Sequence, residues 1–597
     1  MNWFPNDVAR RARAAGNFAA AVMLFLMVAF FRTQIMRHKQ WVFQSEGNRL
    51  REVPIPAPRG TIYDRNGKII AENVVGYTVS VLASSEDSLR GTLNRLASTV
   101  PLSSIQLDRA MQRYRQSPSI PTLIFSDASF NVVSVLEEHR VDFPSLMILT
   151  GPRRHYLNGP AVQPFVGYTG EISEEELAQS QFAGYRAGQI IGKGGLEKEY
   201  DAVLQGREGS RFVEVDARGR VVREQDTQAR LPLQAESLQT NIDLDLQLFV
   251  ARLFGDSLVG GAVAMDPNTG AVLALYSAPS YDPNEFIGGV SFAYYDKLLN
   301  DPNRPLYNKA LQGLYPPGST WKLATAILGL QEEVITTESR MPQQCTGYYY
   351  FGDRAWRCWE KAGHGSLTLT GAIAKSCDVY FYQLGLKLGL SRLVAGGAKL
   401  GFNRKSDIDL PEEKRSIYPD RLQYFNDKYG ERGWTNGGPA LNMAIGQGDN
   451  AQTIVNMARF YTALATDGSS AKPEIVRAQP QRTRIMNLRP DQLADLRTAM
   501  VGVVSAGGTA ASAALTGVTL AGKTGSAQTS SIAGGKGKEC DHAWFVGFAP
   551  VESPKIVVSV LLECGGHGYI AARIASAIIG KYLGITPVSL LQTEGNE

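Results

Sequence analysis

The chain has 597 residues, with 61 lysines and arginines against 57 aspartates and glutamates and a formal net charge of +4. This length predicts several domains. The near-balance of charge, spread without a dense basic block, argues against a nucleic-acid-binding protein.

The first predicted element is a membrane anchor. Three arginines within residues 10–13 precede an apolar run over residues 14–31, which is just long enough to cross a bilayer. The basic residues predict a cytoplasmic N-terminus. A cleaved signal peptide is the competing interpretation, but no small-x-small cleavage site follows the run. We expect a cytoplasmic tail over residues 1–16 and a single inner-membrane helix over 17–36, with the remainder in the periplasm.

Residues 37–235 are predicted to form an elongated, β-rich pedestal domain. Short β-rich pieces such as residues 76–82 are mixed with helical, charged stretches, and no group of nucleophile and base occurs here. We expect a spacer and interaction platform of the dimerisation type. The polar segment 223–230 is predicted to be the linker to the next domain.

Residues 236–597 are predicted to form an α+β domain in which helices flank an antiparallel sheet. Residues 261–275 have the pattern of a hairpin with its turn at 267–270. Helical segments separate this hairpin from three further strands near the C-terminus.

Two cysteines flank a second predicted hairpin around residues 551–553. Cys540 and Cys564 lie ten residues from its turn on either side, and opposed cross-strand residues are close enough for a disulfide. An oxidising periplasm permits one. The alternative is two free cysteines packed in a sheet.

The first candidate catalytic motif is Ser319-Thr-Trp-Lys322. A Pro- and Gly-rich loop delivers Ser319 to the start of an apolar helix. Residues three apart share a helix face, so the Lys322 amine is expected near the serine hydroxyl. Acting as a base requires a neutral lysine, which burial and a second cation, Lys523, favour. Taken alone, the motif is more typical of a helix N-cap serine followed by a solvated lysine, and the other two motifs reverse this preference.

The second candidate motif is Ser376-Cys-Asp378. We expect Ser376 on the helical stretch after residues 369–374, where it would relay a proton between Lys322 and a leaving amine. A serine that only packs between helices is the alternative.

The third candidate motif is Lys523-Thr-Gly525. It lies in a predicted strand whose glycines allow another backbone to approach. Such an edge binds a peptide as an added strand, and its lysine and hydroxyl groups suit a substrate carboxylate. The backbone N–H groups of Ser319 and Ser526 would form an oxyanion hole. Lys523 is assigned to the catalytic set, and the candidate substrate-binding residues are Thr524, Gly525 and Ser526.

These three motifs, in this order, resemble those of the class B penicillin-binding proteins, and among them the elongation-type penicillin-binding protein 2 family. The resemblance covers nearly the whole chain. Further segments similar to family signatures are residues 48–49, 59–67, 192–200, 446–448 and 542–550.

The resemblance implies a serine peptidoglycan D,D-transpeptidase that cross-links stem peptides during cell elongation and is a target of β-lactams. It implies no catalytic cofactor. Expected partners are a polytopic glycosyltransferase of the shape, elongation and division family and an elongation scaffold protein. Alternatives are a septal transpeptidase, a D,D-carboxypeptidase or β-lactamase, and a non-catalytic β-lactam-binding receptor or scaffold.

Asp378 departs from the asparagine that many relatives carry at this position. An ionised carboxylate only accepts hydrogen bonds, so it cannot donate to a substrate carbonyl as an amide would. Elongation-type relatives resemble this variant, which favours elongation over division. An alternative role for Asp378 is to hold Lys322 or a neighbouring backbone group.

A Gly- and aromatic-rich insertion leading into the second motif carries three cysteines and a histidine. Such a set forms a closed, tetrahedral structural zinc site, although the spacings are not those of a familiar zinc finger. The resemblance agrees, since some penicillin-binding protein 2 relatives are thought to bind zinc near this place. Alternatives are a Cys345–Cys358 disulfide with Cys377 as a buried apolar residue, or free thiols. The candidate ligands are Cys345, Cys358, His364 and Cys377.

Overall fold

The structure is a computed structural model, and it describes residues 5–37, 50–118, 120–215, 221–430, 434, 437–528 and 540–585. The segment 48–49 of the family signature lies outside these residues. The fold is mixed helix and sheet, as predicted, with an apolar N-terminal helix followed by two folded regions.

Helix α1, Pro5–Phe31, leads into a π-helical turn at Arg32–Met36. The stretch Val8–Met36 is long and apolar enough to cross a membrane, with a mean hydropathy of 2.1. None of its apolar window is buried against the rest of the described chain. Such an exposed apolar surface fits a single-pass membrane anchor.

The pedestal contains ten strands and seven α-helices within the described residues. The strands are β1 Leu50–Ile55, β2 Ile62–Tyr63, β3 Ile69–Val81, β4 Thr122–Phe125, β5 Leu146–Tyr156, β6 Thr169–Glu171, β7 Ile190–Gly192, β8 Gly209–Val215, β9 Val221–Arg230 and β10 Leu238–Gln239. The helices are α2 Glu86–Thr99, α3 Ser104–Gln116, α4 Phe130–Glu138, α5 Gly159–Val166, α6 Glu174–Leu177, α7 Gly195–Glu199 and α8 Asp201–Leu204.

The long strands β3 and β5 form the centre of the pedestal. They pair antiparallel from Ala71 opposite Tyr156 to Val81 opposite Leu146. Strands β2, β4 and β10 complete this sheet, while β1, β8 and β9 form a second one. Because β10 is part of the first sheet, the chain leaves the pedestal only after Gln239.

The predicted linker at residues 223–230 is wrong, because this segment belongs to strand β9 and pairs with β8. Strand β9 lies at the edge of its three-stranded sheet. An edge strand is stabilised by backbone hydrogen bonds on one side and commonly carries charged side chains. Polar composition therefore did not distinguish this strand from a linker.

A buried ion cluster joins the loop between β1 and β2 to helices α7 and α8. Glu197 is fully buried and accepts hydrogen bonds from Arg154 Nε at 2.6 Å and Arg59 Nε at 2.5 Å. Arg59 also pairs with Asp201 at 2.7 Å. Burial by itself would raise the pKa of Glu197, but the two arginines hold it below its usual range.

The C-terminal region is the predicted α+β domain. Its strands are β11 Gly260–Met265, β12 Val272–Ala278, β13 Tyr348–Phe351, β14 Arg354–Arg357, β15 Ser469–Ala471, β16 Arg482–Arg484, β17 Ala521–Gln528, β18 Asp541–Ala549 and β19 Ile556–Leu562. Its helices are α9 Leu244–Phe254, α10 Phe292–Asn300, α11 Lys322–Gln331, α12 Leu369–Ala374, α13 Asp378–Lys399, α14 Gln423–Tyr429, α15 Gly438–Ala444, α16 Ile454–Ala465, α17 Pro490–Val504 and α18 Gly568–Leu583.

The main sheet is antiparallel with the strand order β12-β11-β19-β18-β17. Helices α9 and α18 pack on it and on each other, and α16 is buried along its whole length beneath β11 and β19. Both predicted hairpins are confirmed. The predicted Cys540–Cys564 disulfide is present, with a Cα–Cα distance of 5.1 Å. Strand β17, which carries the third motif, is an edge strand.

Candidate active site

Ser319 lies in the 3₁₀ turn Gly318–Trp321 that leads directly into α11. Gly318 has a left-handed φ of 52°, and its N–H donates to the Gly446 carbonyl at 3.0 Å. A Cβ built on Gly318 would lie 2.8 Å from the Ser526 carbonyl oxygen. Only glycine therefore lets this turn approach β17 so closely, and the approach places Ser319 beside the third motif.

Lys322 is completely buried and links the first motif to the second. Its Nζ donates to the Ser376 carbonyl at 2.8 Å, to Ser376 Oγ at 3.2 Å and to Asp378 Oδ1 at 2.7 Å. Within the described residues no hydrogen bond joins Nζ to Ser319. Three acceptors match the three N–H donors of an ammonium group, so Lys322 must give up one of these protons before its amine can accept the proton of Ser319.

Ser376 does not lie on a helix as predicted, but in the break between α12 and α13. Its φ is 53°, its N–H donates to Ile373 O at 3.1 Å, and the Cys377 N–H donates to Ala372 O at 2.9 Å. This pattern is a Schellman motif, in which the left-handed position is usually glycine. A serine held in this conformation at a reaction centre presents its hydroxyl to Lys322 at a cost in local strain.

Asp378 opens α13 and bridges two groups with its two oxygens. Oδ1 accepts from Lys322, and Oδ2 accepts from the Trp359 backbone N–H at 3.1 Å. Burial raises the pKa of this carboxyl, while the adjacent Lys322 opposes the shift. The geometry matches the alternative role considered from the sequence, in which Asp378 holds Lys322 and a neighbouring backbone group.

Lys523 is also completely buried, and its Nζ donates to the Thr524 carbonyl at 3.1 Å. Burial and then the Lys322 charge lower the pKa of Lys523 well below its usual range. The Lys322 charge therefore disfavours the charged form of Lys523.

The other residues of the third motif differ in their surroundings. Thr524 is buried and its hydroxyl lies 2.6 Å from the Thr509 hydroxyl. A Cβ on Gly525 would lie 2.9 Å from the Pro317 carbonyl oxygen, which again requires glycine where the turn meets the strand. Ser526 is exposed at the sheet edge, where a substrate can reach it.

Three residues of this site were not predicted from the sequence. Trp359 donates to Asp378, Thr509 contacts Thr524, and Gly446 accepts the Gly318 N–H. Trp359 follows Cys358 in the insertion, and Gly446 begins a segment similar to a family signature. The sequence therefore contained a pattern from which both could have been predicted. Thr509 lies in a loop with no distinguishing pattern.

The structure brings the four predicted zinc ligands together, and their ligand atoms all lie within 4.8 Å of one another. His364 Nδ1 is 3.7 Å from Cys345 Sγ and 3.5 Å from Cys358 Sγ. Zinc in a tetrahedral Cys₃His site places its ligand atoms about 3.5–3.8 Å apart, so the arrangement fits zinc. The hydrogen bond between Cys358 and Cys377 lowers the pKa of Cys358 and raises the pKa of Cys377. All three cysteines are free, so the alternative Cys345–Cys358 disulfide is not formed.

Family comparisons agree with this architecture. The family model described as the Penicillin binding protein transpeptidase domain matches residues 260–580, and the Penicillin-binding Protein dimerisation domain matches residues 54–240. The peptidoglycan D,D-transpeptidase MrdA of Haemophilus influenzae is 33% identical over 609 residues. That alignment covers 97% of this chain and 92% of the relative.

Solved structures give the same result. A complex between penicillin-binding protein 2 and MreC from Helicobacter pylori matches with a TM-score of 0.77 and 28% identity, covering 90% of this chain and 99% of that one. A second match is a solved structure of a peptidoglycan synthase complex, described as showing the structural coordination of polymerization and crosslinking. Its TM-score is 0.69 at 28% identity, and the match covers 97% of this chain and 99% of that one.

A pedestal joined to a domain with three ordered acyl-transfer motifs defines a serine-type transpeptidase of the penicillin-binding class. The chain belongs to the class B penicillin-binding proteins, in the penicillin-binding protein 2 or MrdA family of peptidoglycan D,D-transpeptidases.

Proposed function

We propose that the chain cross-links stem peptides during cell elongation through an acyl-enzyme on Ser319. Ser319 Oγ attacks the penultimate D-Ala carbonyl, forming a C–O bond, and the C–N bond to the terminal D-Ala breaks. The serine proton passes through Lys322 and Ser376 to the departing amine. A second stem's amine then attacks the ester, so that a C–N bond forms and the C–O bond breaks. The amine's proton returns to Ser319 Oγ.

The observation that carries this proposal is the buried Lys322–Ser376–Asp378 network beside Ser319. This network holds the general base, Lys322, and a second hydroxyl group, that of Ser376, together in a buried site. Strand β17 supports the rest of the mechanism, because it is the terminal strand of the sheet and its free side can offer a peptide backbone hydrogen bonds next to the nucleophile. Backbone N–H groups of Ser319 and Ser526 are the proposed oxyanion donors, which the close approach of Gly318 to Ser526 favours.

The test is intact-mass spectrometry of the full-length protein in detergent with benzylpenicillin. We expect one long-lived adduct on the parent and none on Ser319→Ala, because only an activated serine opens the lactam ring. Ser505→Ala is the matched control, since it removes the hydroxyl of an exposed serine that lies outside the three motifs.

The other outcomes separate the alternatives. An adduct that disappears within seconds would indicate a D,D-carboxypeptidase or β-lactamase, in which water resolves the acyl-enzyme. The absence of an adduct on a folded parent would indicate a non-catalytic receptor or scaffold. Either result would contradict the proposed transpeptidase.

The proposed location is the inner membrane, with the N-terminus in the cytoplasm and the catalytic domain in the periplasm. The basic residues in the first half of α1, ahead of its apolar run, support this orientation. Proposed partners are a polytopic glycosyltransferase of the shape, elongation and division family and a scaffold protein of the MreC kind. Solved relatives occur in a complex with MreC and in a peptidoglycan synthase complex.

We also propose that Cys345, Cys358, His364 and Cys377 hold a structural zinc ion. A bound zinc would supply no catalytic chemistry, but it would cross-link the insertion to the second motif through Cys377, next to Ser376. Because folding energy and metal binding are coupled in such sites, chelation is expected to lower the unfolding temperature.

Native mass spectrometry before and after chelation measures the zinc content, and thermal unfolding measures its effect. Cys377→Ser is expected to lose the metal, whereas replacing Cys540 and Cys564 by serine is expected to retain it. A parent that carries no zinc after purification in zinc-supplemented medium would contradict the proposal.

A further inference from the structure

Thr509 contacts the third motif but takes no part in the acyl-transfer chemistry described above. It lies in a turn after helix α17 that the Ala510 N–H closes by donating to Val503 O at 2.9 Å. A Cβ built on the preceding residue, Gly508, would lie 2.2 Å from the Gly502 carbonyl oxygen. Only glycine therefore lets the turn pass so close to the end of α17, and the backbone fixes the position from which Thr509 meets strand β17.

The hydroxyl groups of Thr509 and Thr524 form a pair of their own. Their oxygens are 2.6 Å apart, and neither hydroxyl makes a hydrogen bond to any other described residue. A threonine hydroxyl has one proton to donate and can accept two hydrogen bonds. One of the two therefore donates to the other, and the accepting hydroxyl keeps a proton that no described atom accepts. When Thr509 is the donor, the remaining proton belongs to Thr524 of the third motif.

The surroundings of Thr524 favour an anion at this remaining proton. Thr524 and Ser526 are two residues apart on the edge strand β17, so they lie on the same face of it. Helix α18 begins beside them, since a Cβ built on Gly568 would lie 2.9 Å from Thr524 Cβ. The N-terminus of a helix carries a partial positive charge. An anion at this place would be stabilised by the helix and would accept the Thr524 proton.

We propose that Thr509 is a positioning residue for the substrate carboxylate. Thr509 donates to Thr524 Oγ1, which leaves the Thr524 proton free to point at the terminal carboxylate of the donor stem or at the carboxylate of a β-lactam. An ionised carboxylate only accepts hydrogen bonds, so its binding requires this order of donors. Thr509 does not touch the substrate and acts through Thr524. The proposal rests on the proposed transpeptidase function and adds a residue outside the three motifs to carboxylate recognition.

The experiment compares benzylpenicillin, which has a free carboxylate, with its methyl ester, whose carbonyl is neutral. The second-order rate constant for acylation of the full-length protein in detergent is measured with each compound by intact-mass spectrometry. Thr509→Val removes the hydroxyl with little change in volume. We expect it to slow acylation by benzylpenicillin about fivefold and acylation by the ester by less than about twofold, because a hydrogen bond that supports a charged acceptor is worth more than one that supports a neutral acceptor.

Three further variants test whether Thr509 acts through Thr524. Thr509→Ser keeps the hydroxyl and is expected to retain the parent's preference for the carboxylate. Thr524→Val is expected to lose that preference, and adding Thr509→Val to it is expected to cause no further change. Thr498→Val is the matched control, because Thr498 is an exposed threonine of α17 whose hydroxyl donates to Ala494 O at 3.0 Å within the same helix.

Each of the other outcomes counts against the proposal. Equal slowing with both compounds would show a structural role for Thr509 and overturn its link to the carboxylate. Unchanged rates for Thr509→Val would overturn it as well, and so would a double variant that is slower than Thr524→Val alone. A parent that benzylpenicillin does not acylate would overturn the proposed function itself, and the positioning role with it.

Discussion

Replacing Lys322 by methionine is expected to slow acylation of Ser319 by about 10³-fold. Methionine preserves the length and volume of the buried side chain but removes the base. The remaining groups, Ser376 and Asp378, have no other described path to the Ser319 proton. Stopped-flow or quenched-flow measurement of the benzylpenicillin adduct gives the rate directly.

Lys375→Met is the matched control for this loss. Lys375 is exposed, lies next to Ser376, and contributes only its backbone carbonyl, which accepts from the Trp359 indole N–H at 3.1 Å. We expect its acylation rate to remain within a factor of two of the parent. An acylation rate for Lys322→Met within tenfold of the parent, in a folded protein, would exclude Lys322 as the base.

Replacing Glu197 by alanine is expected to lower the free energy of unfolding by about 3–5 kcal/mol. Glu197 is fully buried, and its removal leaves Arg59 and Arg154 without their shared counter-charge. Removing one partner of a buried ion pair is more costly than losing the attraction alone, because the other charge remains desolvated. Denaturant unfolding followed by circular dichroism measures the loss.

Glu199→Gln is the control, since Glu199 is exposed two residues further along α7. Because the pKa of Glu197 is lowered in the folded protein, its contribution to stability is present above the unfolded pKa. That contribution is lost as the pH falls through the lower folded value. Equal stabilities of the Glu197→Ala and Glu199→Gln proteins would contradict the expected role of the cluster.

Much of the fold could be predicted from alternation and turn residues. The hairpin at residues 261–275 and the three C-terminal strands have apolar patterns bounded by clear turns, and all are present. The predicted linker at residues 223–230 was wrong because an edge strand is held by backbone hydrogen bonds, which leave no mark in the side-chain pattern.

The catalytic set could be predicted because acyl transfer requires particular residue types, and these stand in short motifs. The distances and orientations among these residues could not be predicted. The left-handed turn at Ser376 depends on where α12 ends, and no glycine signals that end. The Thr509–Thr524 contact joins segments whose proximity is set only by the packing of the whole domain.

The conformation of Ser376 also limits how this enzyme can change under antibiotic selection. A left-handed φ is costly for a β-branched residue, so threonine is disfavoured there even though it carries the same hydroxyl. Glycine relieves the strain but removes the relay. Among residues that carry a hydroxyl on a flexible side chain, the backbone turn therefore favours serine, so we expect substitutions selected by an antibiotic to arise around Ser376 rather than at it.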